Sequence, residues 1–305
     1  MFILEKAHRL KKNITNFHKK YFTIEDRYSS ILSDKTHIKK VYLDRTGKKL
    51  NLKNPKSFNE KCNWLKLYDR KPIYTVMADK FLARQYISER IGSNHLIPLL
   101  GVWNNADEID FDALPNRFVL KCNHDNGVII CRNKADLNIE EVKINLNNRL
   151  KRNYYKKNRE WPYKDIPRKI ICEKLLENSN RENLLEYNVF CFNGVPKFFK
   201  VGSVLPDGTL AKDFYDIEWN HLEMNTGASA GDIFPKPIHY EKLIELAKKL
   251  SDGTTHVRVD FYDCDSKLYN GELTFFSNGG HMKFAPEKWD FIWGDCLTLP
   301  KKHRR

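Results

Sequence analysis

Three pairs of strand-like runs, each joined by a short turn, restrict the fold of this 305-residue chain more than any other feature. The runs cover residues 118–123 and 128–132, 187–192 and 195–201, and 256–262 and 267–276. Asn-Gly, which favours tight hairpins, occurs at 126–127 and 193–194 in the first two turns. Strands joined in this way pair antiparallel, so the sequence predicts an α+β fold rather than a parallel doubly wound sheet.

Helices and further strands are predicted from apolar spacing and from end signals. We predict helices over 54–70, 79–91, 138–152 and 240–250, and strands over 169–176 and 213–219. Ser57 with Glu60 three residues later is typical of a capping box, and Gly92 marks a helix end.

Positive charge is concentrated near the N-terminus. The chain has 53 Lys+Arg and 39 Asp+Glu, a net charge of +14, and residues 1–71 carry 19 of the basic residues with only 7 acidic ones. Apolar residues recur at helical spacing among the first of these lysines and arginines: Ile3, Ala7, Leu10, Ile14 and Phe17. We therefore predict a basic, mainly helical region over 1–75.

Two interpretations of this basic region stay open. Either its apolar face packs on its own domain and leaves a solvated basic face, or it contacts an anionic membrane surface or a polyanionic partner. Nucleic acid is not an expected partner, because no recognition motif accompanies the charge.

The sequence predicts a cytoplasmic protein, peripheral at the inner face of the membrane if the basic region binds lipid. No window approaches the roughly 20 apolar residues of a membrane span. The apolar run at the N-terminus is four residues long, which is shorter than the core of a signal peptide. The seven cysteines are odd in number and form no C-x-x-C, which favours reduced thiols over disulfides or a zinc site.

The last hairpin holds the most informative chemistry. A turn centred on Asp265 and Ser266, with 264 paired to 268, places Asp260 opposite Glu272 and Arg258 opposite Thr274. Opposed carboxylates repel, so a proton, an arginine or a cation must compensate. The pattern predicts either a Mg²⁺ site with an adjacent anion-binding arginine, or a surface on which Arg258 bridges the two acids.

Read together, several segments resemble the TupA-like ATP-grasp family of bacterial surface-polysaccharide biosynthesis. They span about 60 to 295 and comprise residues 79–80, 97–102, 114–124, 159–163, 170–176, 187–198, 213–219, 257–262 and 271–275. The resemblance implies an ATP-grasp fold, in which two α+β subdomains sandwich ATP. It places this domain at 76–300, with a lid-like subdomain at about 114–175 and a metal-binding subdomain at about 176–300.

The resemblance also implies roles for particular residues. Those implied to bind ATP are Lys80 and Lys121 at the phosphates, the loop residues His124, Asn126 and Gly127, Glu173, Lys174 and Leu175 at adenine, and Glu186 at ribose. Arg258 and Lys121 are the implied catalytic residues, and Asp260, Glu272 and Thr274 the implied metal ligands. Asp125 and Asn126 stand where the family usually has glycine, Asn188 where we expect lysine, and Thr274 where asparagine is common.

The function implied by this resemblance is an ATP-dependent carboxylate–amine ligase that uses ATP and two Mg²⁺ and forms an acylphosphate. The expected substrates are an amino acid and a sugar acid, such as a uronic acid, joined during capsule, O-antigen or teichuronic-type polymer synthesis. We expect acceptor groups in the N-terminal region, in residues 159–163 and in the loop Ser277–His281. Three alternatives stay open: a sugar or amino-acid kinase, a glycosyltransferase using the D-x-D at 263–265, and a non-catalytic nucleotide-binding protein that docks polysaccharide machinery through the basic N-terminus.

Deletion of residues 1–20 separates the two interpretations of the basic region. For a surface anchor, we expect the full chain to sediment with anionic vesicles and to be released by salt, because salt screens exposed charges. The truncated chain should then stay folded and still bind ATP. Aggregation or early melting of the truncated chain would instead show that the segment packs into the domain.

Overall fold

Two antiparallel β-sheets form the framework of the protein. The computed structural model describes residues 32–179, 184–204, 210–227 and 234–302. Within these residues, a four-stranded and a five-stranded sheet are covered by helices, which confirms the predicted α+β class. The predicted amphipathic segment at residues 3–17 lies outside the described residues.

The four-stranded sheet has the order β1-β4-β2-β3. Its strands are β1 (Leu99–Trp103), β2 (Phe118–Cys122), β3 (Val128–Cys131) and β4 (Ile170–Lys174). The first predicted hairpin is confirmed as β2–β3, and β4 inserts between β1 and β2. The sheet therefore includes β1, which precedes residue 114, the start we predicted for the lid-like subdomain.

The five-stranded sheet has the order β7-β6-β5-β8-β9. Its strands are β5 (Leu185–Phe192), β6 (Val195–Val204), β7 (Leu210–Asp216), β8 (His256–Cys264) and β9 (Lys267–Thr274). The second and third predicted hairpins are confirmed as β5–β6 and β8–β9, and β5 pairs directly with β8. The strand predicted at 213–219 ends earlier, because the Asp216 carboxylate accepts from the N–H groups of Glu218 and Asn220 and turns the chain.

Eight α-helices lie within the described residues. They are α1 (Asp34–Thr46), α2 (Phe58–Tyr68), α3 (Ile73–Ala78), α4 (Ala83–Ile91), α5 (Ile139–Leu150), α6 (Tyr154–Asn158), α7 (Tyr240–Ser251) and α8 (Lys288–Asp295). The capping box at the start of α2 is confirmed, with the Ser57 hydroxyl accepting from the Glu60 N–H.

The helix predicted over 79–91 is wrong in its first turn. Asp79 ends α3, and its carboxylate accepts from the N–H groups of Phe81 and Leu82. This capping interaction turns the chain, so that α4 begins only at Ala83. Lys80 therefore lies in a tight turn between two short helices.

The register predicted for the last hairpin is correct at the acids but wrong at the turn. Asp265 and Ser266 form a two-residue turn with φ of 49° and 60°, and Cys264 pairs with Lys267 rather than with Leu268. An irregularity at Gly271 then shifts the register by one residue. Beyond it, Asp260 faces Glu272 and Arg258 faces Thr274, as predicted.

The main core lies on both faces of the five-stranded sheet. Leu243, Leu246 and Leu250 of α7 are buried against one face. On the other face Trp293 of α8, with 0% exposed surface, stacks on Phe198 and contacts Phe190. Ile38 of α1 and Phe58 of α2 belong to this same core, so part of the basic N-terminal region shares its packing.

A second, smaller core lies under the four-stranded sheet, where Val142 and Leu146 of α5 contact β2 and β4 residues. All seven cysteines are free thiols and six are buried, as the sequence predicts. Among the described residues, none of the helices combines the length and the apolar character needed to span a bilayer.

We expect Trp293→Ala to destabilise the protein by about 3–5 kcal/mol, because it leaves a cavity among aromatic side chains. Denaturant unfolding measures this change. Phe291→Ala on the same helix is a matched control, since Phe291 is 47% exposed. Its free energy of unfolding should change by less than about 0.5 kcal/mol. Equal effects for the two variants would contradict the described packing of α8.

Candidate active site

A cavity of about 690 Å³ lies between the two sheets. Of the residues predicted to bind ATP, five line it: Lys121, Glu173, Lys174, Leu175 and Glu186. Val128 and Ile130 on β3 are about half exposed and present an apolar wall, opposite Gly202, Ser203 and Tyr262 of the other sheet. Such a cleft, apolar with a few convergent charges, is typical of a small-molecule site.

Several lining residues were not predicted from the sequence. They are Ile97, Arg117, Val119, Val128, Ile130, Arg132, Leu176, Glu177, Asn178, Leu184, Gly202, Ser203 and Tyr262. Apolar residues that alternate along an edge strand, such as Val128 and Ile130 on β3, are the one sequence signal that could have indicated the apolar wall of the cavity.

Lys121 is held inside the cleft by a buried carboxylate. Its ammonium lies 2.7 Å from Glu173 on the neighbouring strand β4, and Arg84 of α4 lies 3.3 Å from the other Glu173 oxygen. All three side chains are largely buried. Lys121 therefore faces the cleft rather than solvent, and Glu173 fixes its position through a charge-assisted hydrogen bond.

The two acids of the last hairpin meet around one arginine. Arg258 binds Asp260 through two hydrogen bonds of 2.7 and 2.5 Å, and its Nη2 lies 3.1 Å from Glu272. The Thr274 hydroxyl donates to Glu272 at 2.9 Å. The sequence left open whether an arginine or a cation compensates the acids, and this structure contains the arginine bridge.

The pKa values of the two acids differ because their surroundings differ. Asp260 has 0% exposed surface, and burial raises its pKa to about 7 against the opposing effect of Arg258. Burial would also raise the pKa of Glu272, but Lys80 and Arg258 outweigh it and hold that pKa at about 2. Glu272 therefore stays anionic, whereas Asp260 needs a further positive charge to ionise fully.

The donor set of this hairpin suits Mg²⁺. Two opposed carboxylates and the Thr274 hydroxyl present oxygen atoms on rigid strands, which match the hard ligands that Mg²⁺ prefers. Within the described residues, His, Cys, Asp and Glu form no group of three or more that could hold a metal. An ion held by the Asp260 and Glu272 carboxylates would complete its shell with phosphate oxygens and water.

Lys80 joins the last hairpin, β8–β9, to the loop 124–127. Its ammonium lies 3.3 Å from Glu272 and donates to the Asp125 carbonyl at 2.7 Å. The tight turn after α3 makes this reach possible. Lys80, Glu272 and Glu173 line a second, smaller cavity, and Glu173 lines the 690 Å³ cavity as well.

A buried ion pair fixes the position of the loop 124–127, and the loop does not line the cavity. Asp125 accepts two hydrogen bonds from Arg149 of α5, one of them 2.9 Å long. A Cβ atom at Gly127 would overlap the Arg149 guanidinium, so a larger residue there would have to displace that side chain. The predicted ATP residues His124, Asn126 and Gly127 do not line the cavity in this arrangement.

Glu186 lies at the cavity wall, where the Tyr262 hydroxyl donates to it at 3.3 Å. This carboxylate is the acidic group predicted for the ribose hydroxyls.

The sequence model of the TupA-like ATPgrasp family matches residues 60–298, most of the chain. This chain belongs to the TupA-like ATP-grasp family. The match includes both sheets and every predicted site residue. The ATP-grasp fold expected from the sequence is therefore confirmed.

Solved ATP-grasp structures resemble this member of the TupA-like family only distantly. D-alanine–D-alanine ligase from Bacillus anthracis, complexed with ATP, is 14% identical, with a TM-score of 0.38 over 66% of this chain and 54% of the ligase. L-amino acid ligase from Bacillus licheniformis is 12% identical, with a TM-score of 0.42 over 73% and 49%. The chain thus spans about half the length of these two proteins. No curated relative matches the sequence.

The segments of this TupA-like protein predicted to hold acceptor groups lie together. Lys66 of α2 is fully buried and donates to the Gly279 carbonyl at 2.6 Å, and burial lowers its pKa to about 8. Glu160 is also buried and accepts from Asn158, which a Cβ atom at Gly279 would overlap. The Ser277 hydroxyl, at the start of this loop, lies 3.3 Å from Arg258. The loop Ser277–His281 therefore adjoins Arg258 at one end and contacts Lys66 and Asn158 at Gly279.

We expect Arg149→Met to destabilise the protein by about 3–5 kcal/mol, because it leaves the Asp125 carboxylate buried without its cation. Thermal and denaturant unfolding measure the loss. The double variant Asp125→Asn/Arg149→Met should recover much of it, since the uncompensated charge is gone. Lys151→Met, at an exposed position just after α5, is the control. An additive double variant would show that the two side chains do not interact.

Proposed function

We propose that this chain is an ATP-dependent carboxylate–amine ligase that acts through an acylphosphate. The observation that carries the proposal is the placement of Asp260 opposite Glu272, beside Arg258 and Lys80, in a chain of the TupA-like ATP-grasp family. Carboxylates for a metal and cations for phosphate at one end of an apolar cleft are the groups that phosphoryl transfer requires.

The cleft offers a distinct place for each part of ATP. Adenine would lie against Val128, Ile130 and Leu175, which line the cavity next to β4. The ribose hydroxyls would reach Glu186. The phosphates would extend to Lys121 and Lys80, whose ammonium groups would neutralise negative charge as point cations. His124, Asn126 and Gly127 approach the phosphates only if the loop moves.

Asp260, Glu272 and Thr274 would hold Mg²⁺, and bound Mg²⁺ supplies positive charge that stabilises the transferring phosphoryl group. Arg258 contacts both acids. Its guanidinium would bind the phosphoryl oxygens and orient them toward the attacking carboxylate.

The proposed substrates are a sugar acid, such as a uronic acid, and an amino acid, joined during capsule, O-antigen or teichuronic-type polysaccharide synthesis. The convergence of residues 158–160 and 277–281 beside Arg258 supports an acceptor site there. Buried Lys66 and Glu160 offer opposite charges for zwitterionic or acidic groups. A cytoplasmic location and contact with membrane through the basic N-terminus remain part of this proposal.

The glycosyltransferase alternative has weaker support in the D-x-D at 263–265. Asp265 lies in the hairpin turn and accepts from the Ser179 N–H at 2.8 Å and hydroxyl at 2.9 Å. This carboxylate therefore serves the local structure of the turn. A kinase on the same ATP site would leave phosphate on its acceptor, whereas a ligase releases free phosphate only when acid and amine are both present.

We expect Asp260→Asn and Glu272→Gln each to abolish the release of phosphate from ATP in the presence of Mg²⁺, a uronic acid and an amino acid. Each variant removes the negative charge of a carboxylate that would hold the metal. Circular dichroism should show intact folding. Asp265→Asn is the matched control in the same hairpin and should keep wild-type turnover. Wild-type rates in the first two variants would contradict the metal site, and UDP release lost only in Asp265→Asn would support the glycosyltransferase.

Lys121→Met keeps the apolar stem and removes the charge, and we expect ATP affinity to fall by roughly 2–4 kcal/mol. Titration calorimetry measures this loss. Lys169→Met is the control, because the Lys169 ammonium donates to Asn104 and does not line the cavity. Unchanged ATP affinity in Lys121→Met would mean that phosphate does not reach this lysine.

A further inference from the structure

A row of four polar side chains crosses the five-stranded sheet at the level of the metal acids. Asn188 on β5 pairs with Lys200 on β6 and with Asp260 on β8, and Asp260 pairs with Glu272 on β9. Residues directly opposite one another in a sheet share a face. Lys200 and Asn188 therefore extend the metal site away from the hairpin, toward the centre of the sheet.

Asn188 is a buried amide that lacks a partner. It has 0% exposed surface, and neither its Nδ2 nor its Oδ1 atom makes a hydrogen bond to the protein. A buried amide left without a partner is costly, so each such group needs an explanation. A ligand that accepts from Nδ2 beside Asp260 would supply the missing partner.

Lys200 is a cation without a carboxylate partner in the part of the chain that the structure describes. Its side chain is partly buried, and burial together with nearby Arg258 lowers its pKa. Asp260 and Glu186 attract it electrostatically, but neither forms an ion pair with it among the described residues. A partly desolvated ammonium is stabilised by an anion, and here the protein supplies none at contact distance.

We propose that Lys200 and Asn188 form a further phosphate-binding unit, which takes the terminal phosphate of the nucleotide beside the metal acids. Lys200 supplies a point charge and the Asn188 amide donates a hydrogen bond, so the unit would compensate the negative charge of a phosphate next to the Asp260 and Glu272 carboxyl groups. This inference rests on the proposed ATP site and adds two residues of β5 and β6 to it.

A bound phosphate would account for the two different side chains at these neighbouring positions, Asn188 and Lys200. An asparagine between a lysine and an aspartate provides a donor without adding a second positive charge next to Arg258. Lys200 on β6 and Arg258 on β8 lie on the two strands that flank β5, which carries Asn188, so a phosphate there would have cations on two sides.

Lys200→Met tests the charge. We expect its affinity for ATP, measured by titration calorimetry with Mg²⁺, to fall at least about tenfold, while its affinity for AMP stays within about twofold of wild type. Lys197→Met, an exposed lysine earlier on the same strand, is the matched control and should bind both nucleotides like wild type. Unchanged ATP affinity in Lys200→Met, or an equal loss for ATP and AMP, would overturn the proposed contact with the terminal phosphate.

Asn188→Leu tests the amide and remains informative if Lys200→Met folds poorly. Because it removes a buried amide without a partner, we expect the melting temperature of the unliganded protein to rise and ATP affinity to fall. A lower melting temperature with unchanged ATP affinity would show that the amide is structural and would overturn its role.

The same titrations distinguish failure of this inference from failure of the proposed function. If the wild-type chain binds ATP and Lys121→Met weakens that binding, but Lys200→Met and Asn188→Leu do not, only the inference fails. If the wild-type chain binds neither ATP nor AMP, the proposed function fails and the inference is overturned with it.

Discussion

The charge balance between Arg258, Asp260 and Glu272 is the interaction on which the candidate site depends. Two carboxylates on paired strands cannot both be anionic in a buried place unless cations lie within a few ångströms. Arg258 contacts both acids and Lys80 reaches Glu272 from a separate turn. The hairpin, the turn after α3 and the loop 124–127 are thereby linked through one set of charges.

This charge cluster lies at the boundary between a packed core and an open cleft. Along the same face of the sheet, Phe190 and Phe198 are covered by Trp293, whereas Glu186 and Gly202 line the cavity. The aromatic half fixes the strands, and the polar half presents side chains to a ligand. Because the aromatic half holds the strands rigidly, the polar half can present charged groups that repel one another without the strands rearranging.

The loop 124–127 shows how the same principle acts on the other sheet. A glycine-rich loop would bind phosphate with its backbone, but this chain has Asp125, which requires a cation when buried. Arg149 of α5 provides it and occupies the space beside Gly127. The loop is consequently attached to a helix, and its approach to a nucleotide would require this ion pair to separate.

The sequence by itself determined the features that depend on neighbouring residues. Asn193-Gly194 and Asp265-Ser266 specify tight turns, and alternation along the two strands then places Asp260 opposite Glu272, even though the Gly271 irregularity was not foreseen. Only the tertiary structure decided which distant segments supply the remaining groups. The pairing of β5 with β8 brings Asn188 and Lys200 beside Asp260, and the insertion of β4 next to β2 brings Glu173 to Lys121. Local turn geometry is encoded in a few residues, whereas strand order depends on how whole layers bury their apolar faces.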